Sequence, residues 1–176
     1  VTEQVAELFR ELFPAAKRAL VVDDVNTKRV AGDRVIALLK SAGIEVSEHT
    51  VNPDGSWFHA TYDKVSEVRD AISSALAAVP VAVGSGTIND LVKRGSEEAG
   101  ARYMVVGTAA SMDGYTSFGA AITKDGMKQT LSCRAPLGAL VDSKVSAEAP
   151  REMTASGYAD LLAKVPAGAD WILADA

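Results

Sequence analysis

Three short apolar runs do most to limit what this chain can become. "RALVVDD" at 18–24, "VPVAV" at 79–83 and "YMVVG" at 103–107 are brief, apolar at their centres and rich in valine. A run of that kind reads as a strand covered on both faces, the situation inside a parallel sheet. Segments of helical period lie between them. "VTEQVAELFRELF" puts Val5, Leu8, Phe9 and Leu12 on one face, with Thr2 placed to cap its start. "TKRVAGDRVIALLKSAG" is predicted as a helix closed by Gly43, where a left-handed residue is wanted. "IEVSEHTV" (44–51) alternates as a strand, and a loop holding Pro53, Asp54 and Gly55 leads to a helix from about Asp63 to Val79. A further helix is predicted over 88–99. Strands separated by helices imply parallel pairing with right-handed crossovers, so the expected fold is α/β, a Rossmann-like parallel sheet flanked by helices.

The alternation stops after residue 107. Two β-prone segments flank Asp125-Gly126, a type I′ hairpin signal, and "LGALVD" (137–142) reads as a last core strand. From Pro150 the pattern turns helical, with Pro166 opening a second helix. The last helix is still apolar at Ala176 and has no cap, which reads as the start of a truncated C-terminal helical domain; the first residue is Val, not Met, which points the same way. The predicted division is a nucleotide-binding α/β domain over 1–148 and the first helices of that second domain over 149–176.

Composition removes several classes. A net charge of -5 leaves no electrostatic footprint for nucleic acid or an anionic membrane surface. "ALAAVPVAV", among the longest apolar runs, is far too short to span a bilayer, so no membrane insertion is expected. Cys133 is the single cysteine and no secretory leader is visible, which makes a reducing cytoplasm the expected location.

Two segments carry candidate chemistry. "VAVGSGTINDLVKRG" is strand, then Gly84-Ser85-Gly86-Thr87, then helix. Glycines there let backbone approach a phosphate, and the unpaired amides and helix dipole supply the attraction. The segment is neither G-x-G-x-x-G, since Asn89 stands at the third glycine, nor a P-loop, since the lysine is missing; a tight turn with no ligand reads equally well. The second segment, "TAASMDGYTSFGAA" at 108–121, is almost wholly small or hydroxylic, with Asp113 its one charge. It starts at a strand end, on the same carboxyl edge as Gly84–Thr87, where ligands of open α/β sheets bind. Thr108, Ser111 and Ser117 can bond a cofactor there, or can stabilise the loop by local hydroxyl-to-backbone bonds. Asp24, at the end of the first strand, is placed either to accept from an adenosine ribose or to cap the following helix.

"GSGTINDLVK", "TAASMDGYTSFGAAI", "KQTLSCRAPLGALVD" and "APREMTASGYADLLAK" with "ADWILAD" closely resemble the sn-glycerol-1-phosphate dehydrogenase family, part of a metal-dependent group with glycerol dehydrogenases and iron-containing alcohol dehydrogenases. The resemblance covers nearly the whole chain and is strongest over 84–175. It implies a nucleotide-binding α/β domain followed by an all-helical domain, with the active site between them. It assigns the NAD or NADP pyrophosphate to Gly86, Thr87, Ile88, Asn89 and Asp90, and further cofactor contacts to Gly84, Ser85, Thr108, Ala109, Ala110, Ser111 and Ser117. Asp24 aligns with the adenosine-ribose acid, with Asp23 beside it as the alternative register.

By the same resemblance Asp113 binds substrate hydroxyls, and Asp160 is both a substrate contact and the first ligand of a divalent metal, zinc, nickel or iron. Read from the residues alone, Asp160 is a helix-surface carboxylate with Lys164 at i+4. The family's other metal ligands are two histidines of the helical domain. His49 and His59 are the histidines of this chain; they match no such motif and read as solvated bystanders. The activity implied is reduction of dihydroxyacetone phosphate to glycerol 1-phosphate, by a protein of which this chain is an inactive part. The alternatives are a dehydrogenase of another small polyol such as glycerol, and a non-catalytic nucleotide-binding module. The apolar "ADWILADA" segment predicts association, including homo-oligomers, or poor solubility when left uncovered.

Overall fold

A computed structural model describes residues 2–175. Five parallel strands form the sheet, in the order β2-β1-β3-β4-β7. They are β1 (Arg18–Asp24), β2 (Glu45–Val51), β3 (Val79–Gly84), β4 (Met104–Gly107) and β7 (Ala139–Val141). The three apolar runs become β1, β3 and β4, adjacent at the centre of the sheet. Their side chains alternate between two cores. Leu20, Val22, Ala82 and Val105 face α4 (Tyr62–Ser74) and α5 (Gly86–Glu98), packing on Val65, Val68, Leu91 and Val92. Val21, Val81, Val83 and Val106 face α1 (Val5–Leu12) and α3 (Asp33–Ser41), packing on Val5, Phe9, Val35 and Leu39. Burial on both faces explains why these strands lack a polar side.

The expected α/β architecture therefore holds, with local corrections. Thr2 does not cap α1: Gln4 occupies that position without a side-chain bond, while the Thr2 amide and hydroxyl both donate to Asp142 Oδ2 at 2.9 Å. The helix predicted from Thr27 starts earlier, as α2 (Val25–Thr27), and runs through a wide π-turn at Lys28–Gly32 into α3. A side chain at Gly32 would lie 2.6 Å from Asp23 Oδ2, so the helix bulges where it crosses the end of β1. The helix expected to reach Val79 stops at Ser74. Asp125 and Gly126 have φ of 52° and 76°, as the hairpin of β5 (Ala120–Lys124) and β6 (Met127–Leu131) requires. After α6 (Ser143–Glu148) come α7 (Arg151–Leu162) and α8 (Lys164–Asp175), which begins two residues before Pro166. Their apolar residues lie open: Trp171, Ile172 and Leu173 are each at least 74% exposed.

Candidate functional site

Parallel register sets the site. Gly84 pairs with Gly107 and Gly107 with Val141, so the turns after β3 and β4 leave the same edge of the sheet. The turn after β3 enters α5 at once. A Cβ on Gly84 would lie 2.7 Å from Ile88 Cβ, so only glycine lets the strand fold back this tightly on its helix. Ser85 stands at the N-cap of α5 and its side chain makes no capping bond. The helix thus presents its first amides without a side-chain acceptor, the arrangement that draws an anion.

Those amides open on a cleft of about 650 Å³, lined by Gly86, Thr87, Asp90, Ser111, Met112 and Asp160 together with His59, Ala60, Ala121, Thr123 and Lys128. Thr87 also borders a smaller groove with Asp24, Asn26 and Trp57. Asn26 and Met153 connect that groove to a third hollow containing Thr108, Arg29 and Glu148. The three hollows thus border one another at Thr87, Asn26 and Met153.

The two candidate aspartates meet across α7. Asp160 Oδ2 accepts from the Asp113 amide at 3.0 Å, and the Lys164 ammonium lies 3.0 Å from Asp113 Oδ2 and 3.6 Å from Asp160 Oδ1. The Asp113 amide bond, with Lys164 behind it, holds the Asp160 carboxyl below its usual range. Lys164 is raised in turn, first by its bond to Asp113. Gly157 allows this approach, since a Cβ there would run into the Ala110 carbonyl. Seen from the sequence, Asp160 and Lys164 form a surface i, i+4 pair; the fold adds Asp113 and a cation between two carboxylates.

Other predicted site residues are engaged within the protein. The Ser111 and Ser85 hydroxyls bond each other closely, and Tyr115 donates to Ser85 Oγ at 3.0 Å. Ser117 Oγ donates to the Gly114 carbonyl at 2.8 Å. Ile88, Asn89 and Ala109 turn their side chains into the interior, which leaves only their backbones for a ligand. Asn89 spans Tyr103 and the Tyr115 carbonyl at 3.0 and 3.3 Å. Asp90 is largely covered and accepts from the Ala121 amide at 3.2 Å, and burial raises its pKa. Thr108 is buried and Ala110 exposed.

Asp24 is a helix cap: its Oδ1 accepts from the Asn26 and Thr27 amides at 2.7 and 2.9 Å, and Thr27 Oγ1 accepts from the Asp24 amide. Capping and a place in the groove coexist, because both bonds fall on one oxygen. Asp23 points elsewhere, taking the Thr50 hydroxyl at 2.9 Å inside the fold. Of the two neighbours, Asp24 is the one that lines the groove.

His59 is exposed, as expected of a solvated histidine, whereas His49 is partly covered. His49 lies on edge strand β2, partly buried and 3.0 Å from Glu67. His59 borders the cleft that holds Asp160, edge-on to Trp57 at 4.0 Å. Neither joins Asp160 in a ligand set. Among the described residues no group of three or more His, Cys, Asp or Glu is arranged to hold a metal ion. Since a zinc-type site takes three or more protein ligands, these residues alone do not suffice for one. Sequence reasoning missed the hairpin wall of Ala121, Thr123 and Lys128; alternation along β5, with Ala120 and Ile122 buried and Ala121 and Thr123 facing out, was the available signal.

A glycerol-1-phosphate dehydrogenase (NAD(P)+) of Halalkalibacterium halodurans is 37% identical over 152 residues, covering 86% of this chain and 38% of the relative. One of Methanosphaera stadtmanae is 31% identical over 175 residues, covering 99% and 47%. The chain thus spans less than half the length of these relatives. Glycerol dehydrogenase from Schizosaccharomyces pombe superimposes with a TM-score of 0.75 at 21% identity, over 91% of this chain and 40% of its own. An iron-containing alcohol dehydrogenase from Thermotoga maritima gives 0.77 at 16%, over 90% and 49%; both likenesses speak to fold alone. The model of the iron-containing alcohol dehydrogenase family matches residues 1–150, and the chain belongs to that family.

Proposed function

We propose that this chain is the nucleotide-binding part of an NAD(P)-dependent oxidoreductase that reduces dihydroxyacetone phosphate to glycerol 1-phosphate. The observation that carries the reading is convergence: the uncapped N-terminus of α5, Ser111 and Asp160 line one cleft, and Asp113 is bonded to Asp160 at its wall. The names of the relatives give the substrate class. In this reading residues 1–148 form the nucleotide-binding unit, and 149–176 begin a helical unit that closes the cleft.

A bound nicotinamide supplies the hydride. The protein's own work is placement. The amides of Gly86 and Thr87 hold the pyrophosphate, with Ile88, Asn89 and Asp90 continuing the segment, and Asp24 offers its second oxygen to the adenosine ribose. Thr108, Ala109, Ala110, Ser111 and Ser117 form the small-residue wall along the cofactor. Asp113 accepts from the hydroxyl of the three-carbon substrate and orients its carbonyl. Asp160 is proposed as one ligand of a divalent metal, the remaining ligands lying outside this chain. No described helix is long and apolar enough to cross a membrane.

Two variants of the complete protein test the roles. Asp160→Ala is expected to lose metal and turnover together. Asp113→Ala keeps its metal, with kcat/KM for the polyol phosphate down at least tenfold, about 1.4 kcal/mol of transition-state binding. Metal analysis by mass spectrometry and NADH-linked kinetics read both. Loss of metal from Asp113→Ala with retention in Asp160→Ala would reverse the assignment.

A further inference from the structure

Lys93 is a buried charged residue that the proposed function leaves without a task. Its side chain is fully buried, in the third turn of α5. A buried ammonium is costly unless every N–H finds an acceptor. Here the acceptors are the carbonyls of Ser117 at 3.0 Å, Gly119 at 3.1 Å and Gly114 at 3.3 Å, and Ser117 Oγ at 3.3 Å. All four belong to the segment that follows Asp113. The Asp90 carboxylate, 3.9 Å away, is the counter-charge.

The same helix face makes a second grip one turn earlier, where Asn89 donates to the Tyr115 carbonyl at 3.3 Å. Apolar packing holds little of the segment. Tyr115 packs against the core, whereas Phe118 is 70% exposed. Its course is set by polar bonds: the carbonyls gathered by Lys93, the Tyr115 hydroxyl on Ser85 and the Ala109 carbonyl, and the Gly119 amide on the Cys133 carbonyl. An apolar replacement of Lys93 would leave the Ser117 and Gly119 carbonyls enclosed without its ammonium, and the segment would turn them out to water.

We propose that Lys93 is a positioning residue: by binding four oxygens of residues 114–119 it holds Asp113 and Ser117 where the cleft needs them, without touching substrate or cofactor itself. The inference rests on the roles given to Asp113 and Ser117 above. It implies a division of labour within α5, whose N-terminus faces the nucleotide while its inner face sets the substrate loop.

The experiment compares the complete protein with its Lys93→Met and Lys93→Arg variants. Three quantities are measured: NADH affinity by fluorescence, kcat and KM for dihydroxyacetone phosphate, and hydrogen–deuterium exchange of residues 112–120. For both folded variants NADH affinity should fall by no more than about tenfold, because the Ser117 contact loosens while the Gly86–Thr87 turn and Asp24 are untouched, whereas kcat/KM falls at least a hundredfold. Exchange should accelerate over 114–119 and not over α5. Stabilisation alone would lower the melting temperature and leave kcat/KM of the folded fraction within threefold, and that result overturns the proposal. If neither variant folds, exchange in the unsubstituted protein decides: protection of 114–119 matching that of α5 supports the proposal, and exchange as fast as an open loop overturns it. An unsubstituted enzyme inert toward dihydroxyacetone phosphate would instead refute the proposed function, and exchange would still test the grip of Lys93.

Discussion

Replacing Gly157 by alanine separates helix stability from site geometry. Inside a helix, alanine is favoured over glycine by about 1 kcal/mol, so α7 taken alone gains. Against this, the new methyl would run into the Ala110 carbonyl, which is backbone and cannot rotate aside. The helix must then retreat on the order of 1 Å, a displacement that can cost about 100-fold in rate. Asp160 lies one turn further along α7 and retreats with it, breaking its 3.0 Å bond from the Asp113 amide. That bond involves a charged acceptor, but the Asp160 side chain is 40% exposed, so its loss is screened to about 1 kcal/mol. Gain and loss nearly cancel. The complete protein should therefore keep its melting temperature within about 4 °C while kcat/KM drops by about 100-fold. Gly168→Ala on α8 is the control: nothing lies within 4 Å of its added methyl, so activity should be unchanged. Calorimetry and steady-state kinetics on both variants suffice. Activity of Gly157→Ala within threefold of the parent would mean that the seat of α7 on Ala110 does not set the position of Asp160.

Further expectations follow from the buried and capping groups. Asp24→Ala removes a helix cap, at about 1 kcal/mol of stability, and on the ribose assignment weakens NADH by about 1.5–3 kcal/mol; Asp24→Asn, which can still cap, separates the two effects in a titration. Burial pushes the Asp23 carboxyl up to about 6 from 3.8, so the fold favours its protonated form and stability should decline as pH rises from about 4 through 6. The decline is about 3 kcal/mol in all, and parallel urea-unfolding curves for the parent and Asp23→Asn between pH 4 and 7 would contradict it. Cys133 is buried and its thiol is raised by that burial, so alkylation by iodoacetamide should be slow in the folded protein and fast in denaturant; equal rates would show that the segment opens freely.

Local chemistry was enough to read the scaffold. Valine-rich runs without a polar side can only be doubly covered strands, and Asp125-Gly126 admits little except a tight hairpin, because both determinants lie within a few residues of the chain. The carboxyl-edge turns followed from the same alternation, since parallel strands send all their exits one way. Tertiary structure decided what those residues do once they meet. Asp24 caps a helix and lines a groove together, which spacing alone left as alternatives. Lys93 reads in sequence as one more helix lysine, and its burial follows from a loop more than twenty residues later folding its carbonyls inward. Asp113 and Asp160 are 47 positions apart, and their contact depends on the absence of one methyl group at Gly157. Periodicity reports which face of an element is buried; it carries no record of which distant backbone will press against that face.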